Sequence, residues 1–115
     1  MAHTYVEQQV SYTAGAVIAF GQVVKLSGDA VVPCDTAGEK AFGIASCDAE
    51  TGDNVSVVIA GVGKAKFGAA LTAGTDVTVN AAGLIVAANS GSAVLGQVAF
   101  AAGINEIGSI LVDKA

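Results

Sequence analysis

Few side chains in this sequence are of types that do chemistry, and their spacing limits what they can do. The one histidine, His3, stands near the amino end, with no nucleophile in a recognisable strained turn to accompany it, so Ser/His/Asp or Cys/His catalysis is not expected. Cys34 and Cys47 lie thirteen residues apart and, even with His3, fall short of the tetrahedral set of a structural zinc site. Two cysteines do not make a disulfide scaffold either. Asp48, Glu50 and Asp53 gather around Gly52 without the spacing or the closing glutamate of an EF-hand, and read as a solvated turn. Gly61-Val62-Gly63-Lys64 lacks the spacer and the following Ser/Thr of a phosphate loop, and reads as a strand-turn-strand corner. Lys64 and Lys66 project from one face of a strand, with Ala65 and Phe67 on the other. That pair is open to two readings, a charged edge that discourages sheet-to-sheet pairing or a basic spot for an acidic partner. No catalytic, metal or cofactor residue is assigned, and the chain reads as not an enzyme.

The wider composition narrows the partners. The chain has 115 residues, 53% hydrophobic and 13% charged, which suits one folded domain and not a disordered tail. Ten acidic residues against five lysines give a net charge of -5, and there is no arginine, so nucleic acid is not an expected partner. The longest uncharged stretch, Val77 to Asn105, is rich in alanine and glycine and interrupted by Asn80, Asn89, Ser90, Ser92 and Gln97, so no transmembrane helix is expected. The opening Met1-Ala2-His3-Thr4-Tyr5-Val6-Glu7 lacks the basic start and apolar run of a secretory signal, which points to synthesis in the cytoplasm.

The elements that must position these residues are strands. Fifteen glycines punctuate the chain, and after Gly15 the longest run without one is the nine residues Asp29 to Ala37, shorter than an average helix of about 11 residues. Each interior glycine costs a helix about 1 kcal/mol relative to alanine. Between the glycines lie runs rich in valine and isoleucine. In one, Val55, Val57 and Ile59 fall on one face with Asn54 and Ser56 on the other. Similar runs are Tyr5–Tyr12, Gln22–Leu26, Ala30–Pro33, Ala41–Ala45, Lys64–Phe67, Asp76–Val79, Leu84–Ala87, Val94–Phe100 and Ile107–Val112.

Shifted by 53 residues, the chain matches itself: Gly15 falls on Gly68, Gly21 on Gly74, Val24 on Val77, Gly43 on Gly96, and Val57-Val58-Ile59 on Ile110-Leu111-Val112. Two pseudo-repeated halves, about 15–59 and 68–112, are expected to fold against each other, neither closing a core alone. The fold class is all-β, a small antiparallel barrel or sandwich in a single domain over 13–115. Residues 1–12 form an extended amino-terminal arm outside the repeat. The arm carries too few apolar groups for a core of its own, so His3, Thr4, Tyr5, Val6, Glu7 and Gln8 are candidates for contact with another protomer or surface.

The opening Met1 to Gln8, Thr13-Ala14-Gly15, Gly21-Gln22-Val23-Val24-Lys25-Leu26, Phe42-Gly43-Ile44-Ala45, Thr51-Gly52-Asp53, Gly61-Val62, Ala73 to Val79, Leu95-Gly96-Gln97-Val98-Ala99 and Ile110-Leu111-Val112 resemble a family of tailed-bacteriophage capsid decoration, or cement, proteins. The likeness covers nearly the whole chain and lies in the order of glycines and apolar strands. It implies a β-rich structural protein on the outside of an expanded phage head. It also implies a homotrimer at three-fold or quasi-three-fold positions, reinforcing the lattice of the major capsid protein. A head-fibre base or adhesin-like β module is the alternative. A glycan-binding barrel is a third reading, for which the expected aromatic lining is absent.

Overall fold

The structure, a computed structural model, describes residues 8–89 and 93–112. The described residues contain strands and no helix, as the glycine spacing requires. Nine strands follow in order: β1 (Gln8–Ala14), β2 (Val23–Ser27), β3 (Ala30–Pro33), β4 (Gly43–Ala45), β5 (Asn54–Lys66), β6 (Asp76–Val79), β7 (Ile85–Ala87), β8 (Gly96–Phe100) and β9 (Ile107–Val112).

They run side by side as β1-β3-β2-β4-β5-β9-β8-β6-β7, and β1 also pairs with β5. That extra pairing closes β1, β3, β2, β4 and the first part of β5 into a five-stranded barrel. Neighbours are antiparallel except β1 and β3, which are parallel. Residues 15–59 supply four of the five strands of this barrel. Its fifth strand comes from residues 8–14, most of them in the segment expected as an arm. Inside this barrel sit Ala14, Ile18, Val24, Val31, Ala45, Ala49, Val55 and Val57.

The second half repeats the arrangement. The last part of β5 pairs with β9, then come β8, β6 and β7, and a single parallel bridge between Phe67 and Ile85 completes the ring. The offset of 53 holds in the pairings made by β4 and β8, while β7 is slipped by one residue relative to β3, since Val24 faces Pro33 but Val77 faces Ala87. Val24 faces Gly43 as Val77 faces Gly96, Ala45 faces Val57 as Val98 faces Ile110, and Ile18 bridges Ala49 as Leu71 bridges Ala102. It also reaches further toward the amino end than the sequence comparison did. Val10 faces Val57 as Gly63 faces Ile110, and Thr13 faces Asn54 as Lys66 faces Ile107, so β1 is the counterpart of the second part of β5.

One thirteen-residue strand thus serves both barrels. Up to Ala60 it pairs with β1, and from Gly61 it pairs with β9. The expected corner at Gly61–Lys64 is no turn. Gly61 takes φ of 90°, a conformation that costs a glycine little, and the chain bends there and changes neighbours without leaving the strand. Close approach explains the shared apolar-glycine step. A methyl group at Gly43 would overlap the carbonyl oxygen of Val58, and one at Gly96 would overlap that of Leu111.

The barrels join through the outer side of the first. Val23, Ile44 and Val58 alternate with interior residues and belong to the same apolar cluster as Phe67, Val79, Ile85 and Ile110 of the second half. Main-chain bonds from Val23 to the Gly83 carbonyl (2.8 Å) and from Lys66 to the Gly21 carbonyl (2.9 Å) fasten the contact. Each of these side chains, fully buried, contributes about 1.5–3 kcal/mol.

Candidate functional site

Of the residues expected at a contact arm, His3, Thr4, Tyr5, Val6 and Glu7 lie outside the described residues. Gln8 opens β1, opposite Ala60. The acidic group is a turn held by its own carboxylates: Asp48 Oδ1 accepts from the Phe20 amide at 2.7 Å, and Asp53 Oδ2 from the Glu50 amide at 3.1 Å. Among the described residues no three His, Cys, Asp or Glu side chains gather closely enough to hold a metal ion. Cys34 is buried, Cys47 is half-buried, and neither is in a disulfide.

Lys64 and Lys66 do share the outer face of β5, while Ala65 and Phe67 are buried, as the alternation requires. The strand is not an open edge at Lys66, whose amide is bonded to Gly21. Lys64 stands opposite Ser109, and Lys66 opposite Ile107. Among the described residues the side-chain ion pairs are those of Lys25, not of these two.

Lys25 Nζ donates to Asp35 Oδ1 at 2.7 Å and to Glu39 Oε1 at 3.1 Å, and the amides of Asp35 and Thr36 both donate to Glu39 Oε2 at 2.8 Å. Hydrogen bonds donated to Asp35 and then Glu39 hold the Lys25 ammonium above its ordinary range, and the same bond from Lys25 lowers the Asp35 carboxyl. Burial pushes the Glu39 carboxyl up, but the Thr36 amide, Lys25 and the Asp35 amide together bring it below the usual carboxylate range. The group is a brace. It shapes the loop whose Gly38 amide donates to the Val79 carbonyl (2.8 Å) and whose Gly38 carbonyl accepts from the Ala93 amide (3.0 Å), tying the first half to the second. The three residues are ten and four positions apart in sequence and meet because the β2–β3 hairpin folds Lys25 onto the segment after β3.

What the reading of chemistry-bearing residues missed is apolar. Phe100 is 68% exposed, Ile104 63% and Ile107 43%, all on or beside the β8–β9 turn at one end of the second barrel. Leu111 continues the same outer face along β9, opposite Val62 and Gln97. At the matching end of the first barrel the same positions are Cys47, Thr51 and Asn54. The signal was available in the offset comparison, which sets these two triplets against each other. The first barrel instead presents an open cleft of about 450 Å³ between Val17-Ile18-Ala19 and the acids Asp48, Glu50 and Asp53. The candidate site is therefore a pair of surfaces, one exposed and apolar, the other an open cleft rimmed by carboxylates.

A family model described as phage cement protein matches residues 5–113. A search of curated protein sequences finds no match. Among solved structures the chain is similar to the crystal structure of the head fiber gp8.5 N base in bacteriophage phi29, with a TM-score of 0.72 and 15% identity, covering 94% of this chain and 95% of that one. At that identity the likeness is one of fold.

Proposed function

The chain belongs to the phage cement protein family, and from that premise we propose that it binds the outer surface of an expanded phage head and stabilises the lattice of the major capsid protein. The observation that carries the reading is the family match across nearly the whole chain. The structure supports it with a rigid double barrel whose exposed apolar groups are gathered at defined places and whose ionic groups brace loops. Such a protein acts by bridging. Expansion leaves junctions between capsomers, and repeated copies add contacts in parallel, so that modest individual affinities become firm attachment. A homotrimer at three-fold or quasi-three-fold positions suits this role. So does a contact arm at His3, Thr4, Tyr5, Val6, Glu7 and Gln8, lying immediately before or at the start of β1 and able to add main-chain hydrogen bonds to a neighbouring subunit. Synthesis in the host cytoplasm and incorporation into the virion exterior complete the reading.

The fold likeness favours a second reading, the base of a head fibre. One experiment separates the two. Purified chain is mixed with expanded and unexpanded heads, pelleted, and the loaded heads are heated. A cement protein binds expanded heads selectively and raises the temperature at which they release DNA. Binding without such a rise supports the fibre-base reading, and no binding to either head refutes both.

A further inference from the structure

We propose that the apolar β8–β9 turn is a self-association surface, which seats in the acidic-rimmed cleft of the first barrel of a second copy, head to tail. The proposal rests on the homotrimer of the proposed function only for the number of copies, since the contact itself needs no capsid.

The two barrels provide an internal control. Between the β4–β5 and β8–β9 turns the backbone bonding is conserved: Asp53 donates to the Glu50 carbonyl as Glu106 does to Gly103, and Ile18 donates to Ala49 as Leu71 does to Ala102. A carboxylate closes each turn, Asp53 on the Glu50 amide and Glu106 on the Gly103 amide. Cys47, Thr51 and Asn54 satisfy this geometry in the first barrel, so the fold does not require Phe100, Ile104 and Ile107 in the second. Leaving three large apolar side chains in water at one end of a small domain marks a contact surface.

The occupant is identified by complementarity. At a net charge of -5, two copies repel over most approaches. The β8–β9 turn is the end where that repulsion is reduced, because of the three acids only Asp53 has an acidic counterpart, Glu106, while those of Asp48 and Glu50 are Ala101 and Gly103. Beside it, on the strand facing β9, stand Lys64 and Lys66. Such a surface needs an apolar seat with a negative rim. The first barrel carries one, an open cleft with Val17 70% exposed beside Ile18, Ala19 and the three acids. Three carboxylates on a turn would by themselves be a solvated turn; the exposed apolar turn with its cationic flank is what demands a seat of this composition. Because unlike surfaces meet, the contact is heterologous and closes into a ring where the rotation allows.

The test is sedimentation velocity on the full chain over a wide concentration range, without heads. Wild-type protein should associate, and Ile104→Asp should weaken association at least about tenfold. Phe100→Ser, which copies the polar character of the sister turn, should do the same. Lys64→Glu and Glu50→Lys should each weaken it about three- to tenfold, and their combination in one chain should restore it, because the reversed charges then meet across the interface. Melting temperatures should stay at the wild-type value, since the altered side chains are exposed. A wild-type chain monomeric at every concentration, an Ile104→Asp variant that still associates, or a double variant no better than the singles overturns the contact. Occupancy on expanded heads keeps the two readings apart: a monomeric wild type that still fills heads refutes the contact alone, while an associating wild type that never binds heads refutes the proposed function alone.

Discussion

The outer faces of the two barrels carry the same rows of residues in opposite surroundings. Across the first barrel, main-chain pairing lines up Gln9, Val58, Ile44 and Val23, and the last three are buried against the second barrel. Across the second, the same pairing lines up Val62, Leu111, Gln97 and Asp76, of which Leu111, Gln97 and Asp76 are exposed. One copy of the repeat covers the other, and the outermost copy turns its row partly polar, as the end of any stacked repeat must. The lesson is that main-chain register along these rows is shared by both halves while side-chain character follows what each face meets. Polar Gln97 and Asp76 are explained by water. Phe100, Ile104 and Ile107 are not, and that residue of unexplained apolar surface is what points to a partner.

The largest expected effect tests whether β1 stands to the first barrel as the second part of β5 stands to the second. Deleting residues 2–11 removes most of β1 and opens the barrel, so the cooperative thermal transition should be lost. Deleting residues 2–7 leaves the strand intact and should hardly move the melting temperature, while reducing occupancy on expanded heads if the arm binds there. Equal melting for both truncations would break the equivalence.

Next comes an exchange within the matched row. Ile44→Gln places an amide in the apolar seam between the barrels and should cost about 2–4 kcal/mol in denaturant unfolding. Gln97→Ile, the reverse change at the matching exposed position, should stay within about 0.5 kcal/mol. Similar costs at the two positions would mean that the seam is not where the structure places it.

A smaller effect is expected at the matched turns, where Gly52 has φ of 93° and its counterpart Asn105 has φ of 62°. Gly52→Ala forces a methyl-bearing residue into that region and should cost about 1–2 kcal/mol. Asn105→Gly should change stability by only a few tenths of a kcal/mol, because asparagine tolerates the left-handed region. Hydrogen exchange of the Asp53 and Glu106 amides reports on each turn separately.

The smallest effect concerns pH. The brace of the first half is ionic, whereas at the position matching Lys25 the second half has Thr78, whose hydroxyl donates to the Ala93 carbonyl at 2.6 Å. Glu39 has a lowered folded pKa, so its stabilisation is fully present above the ordinary value of 4.5 and is lost as pH falls through the lower folded value. Glu39→Gln should therefore lower the melting temperature at neutral pH and flatten its decline on acidification below about pH 4.5. Amide exchange in the 35–39 loop should rise with acid before exchange around Thr78 does. Identical acid profiles for wild type and variant would remove Glu39 as the source.

Much of the fold was legible in the chain. Glycines spaced more closely than a helix tolerates, with valines and isoleucines alternating between them, dictated strands, and the offset of 53 exposed the repeat from Gly15 onward. The alternation of Lys64 and Lys66 with Ala65 and Phe67 determined their opposite faces, because side-chain direction along a strand is a local property. The beginning of the repeat was not legible. Gln8 to Ala14 and its counterpart Gly61 to Phe67 share no residue, yet hold the same register against Asn54–Val57 and Ile107–Ile110. Strand pairing is made by main-chain groups that every residue but proline offers in full, so the side chains could diverge completely while the pairing persisted. For the same reason Gly61–Lys64 suggested a turn and proved to be a bend within a strand. Composition and pattern determined which residues prefer to be buried. Which of two equivalent faces is covered, and which exposed apolar turn lacks a structural reason, only the docking of one barrel on the other decided, because burial belongs to the whole assembly of strands and not to any one of them.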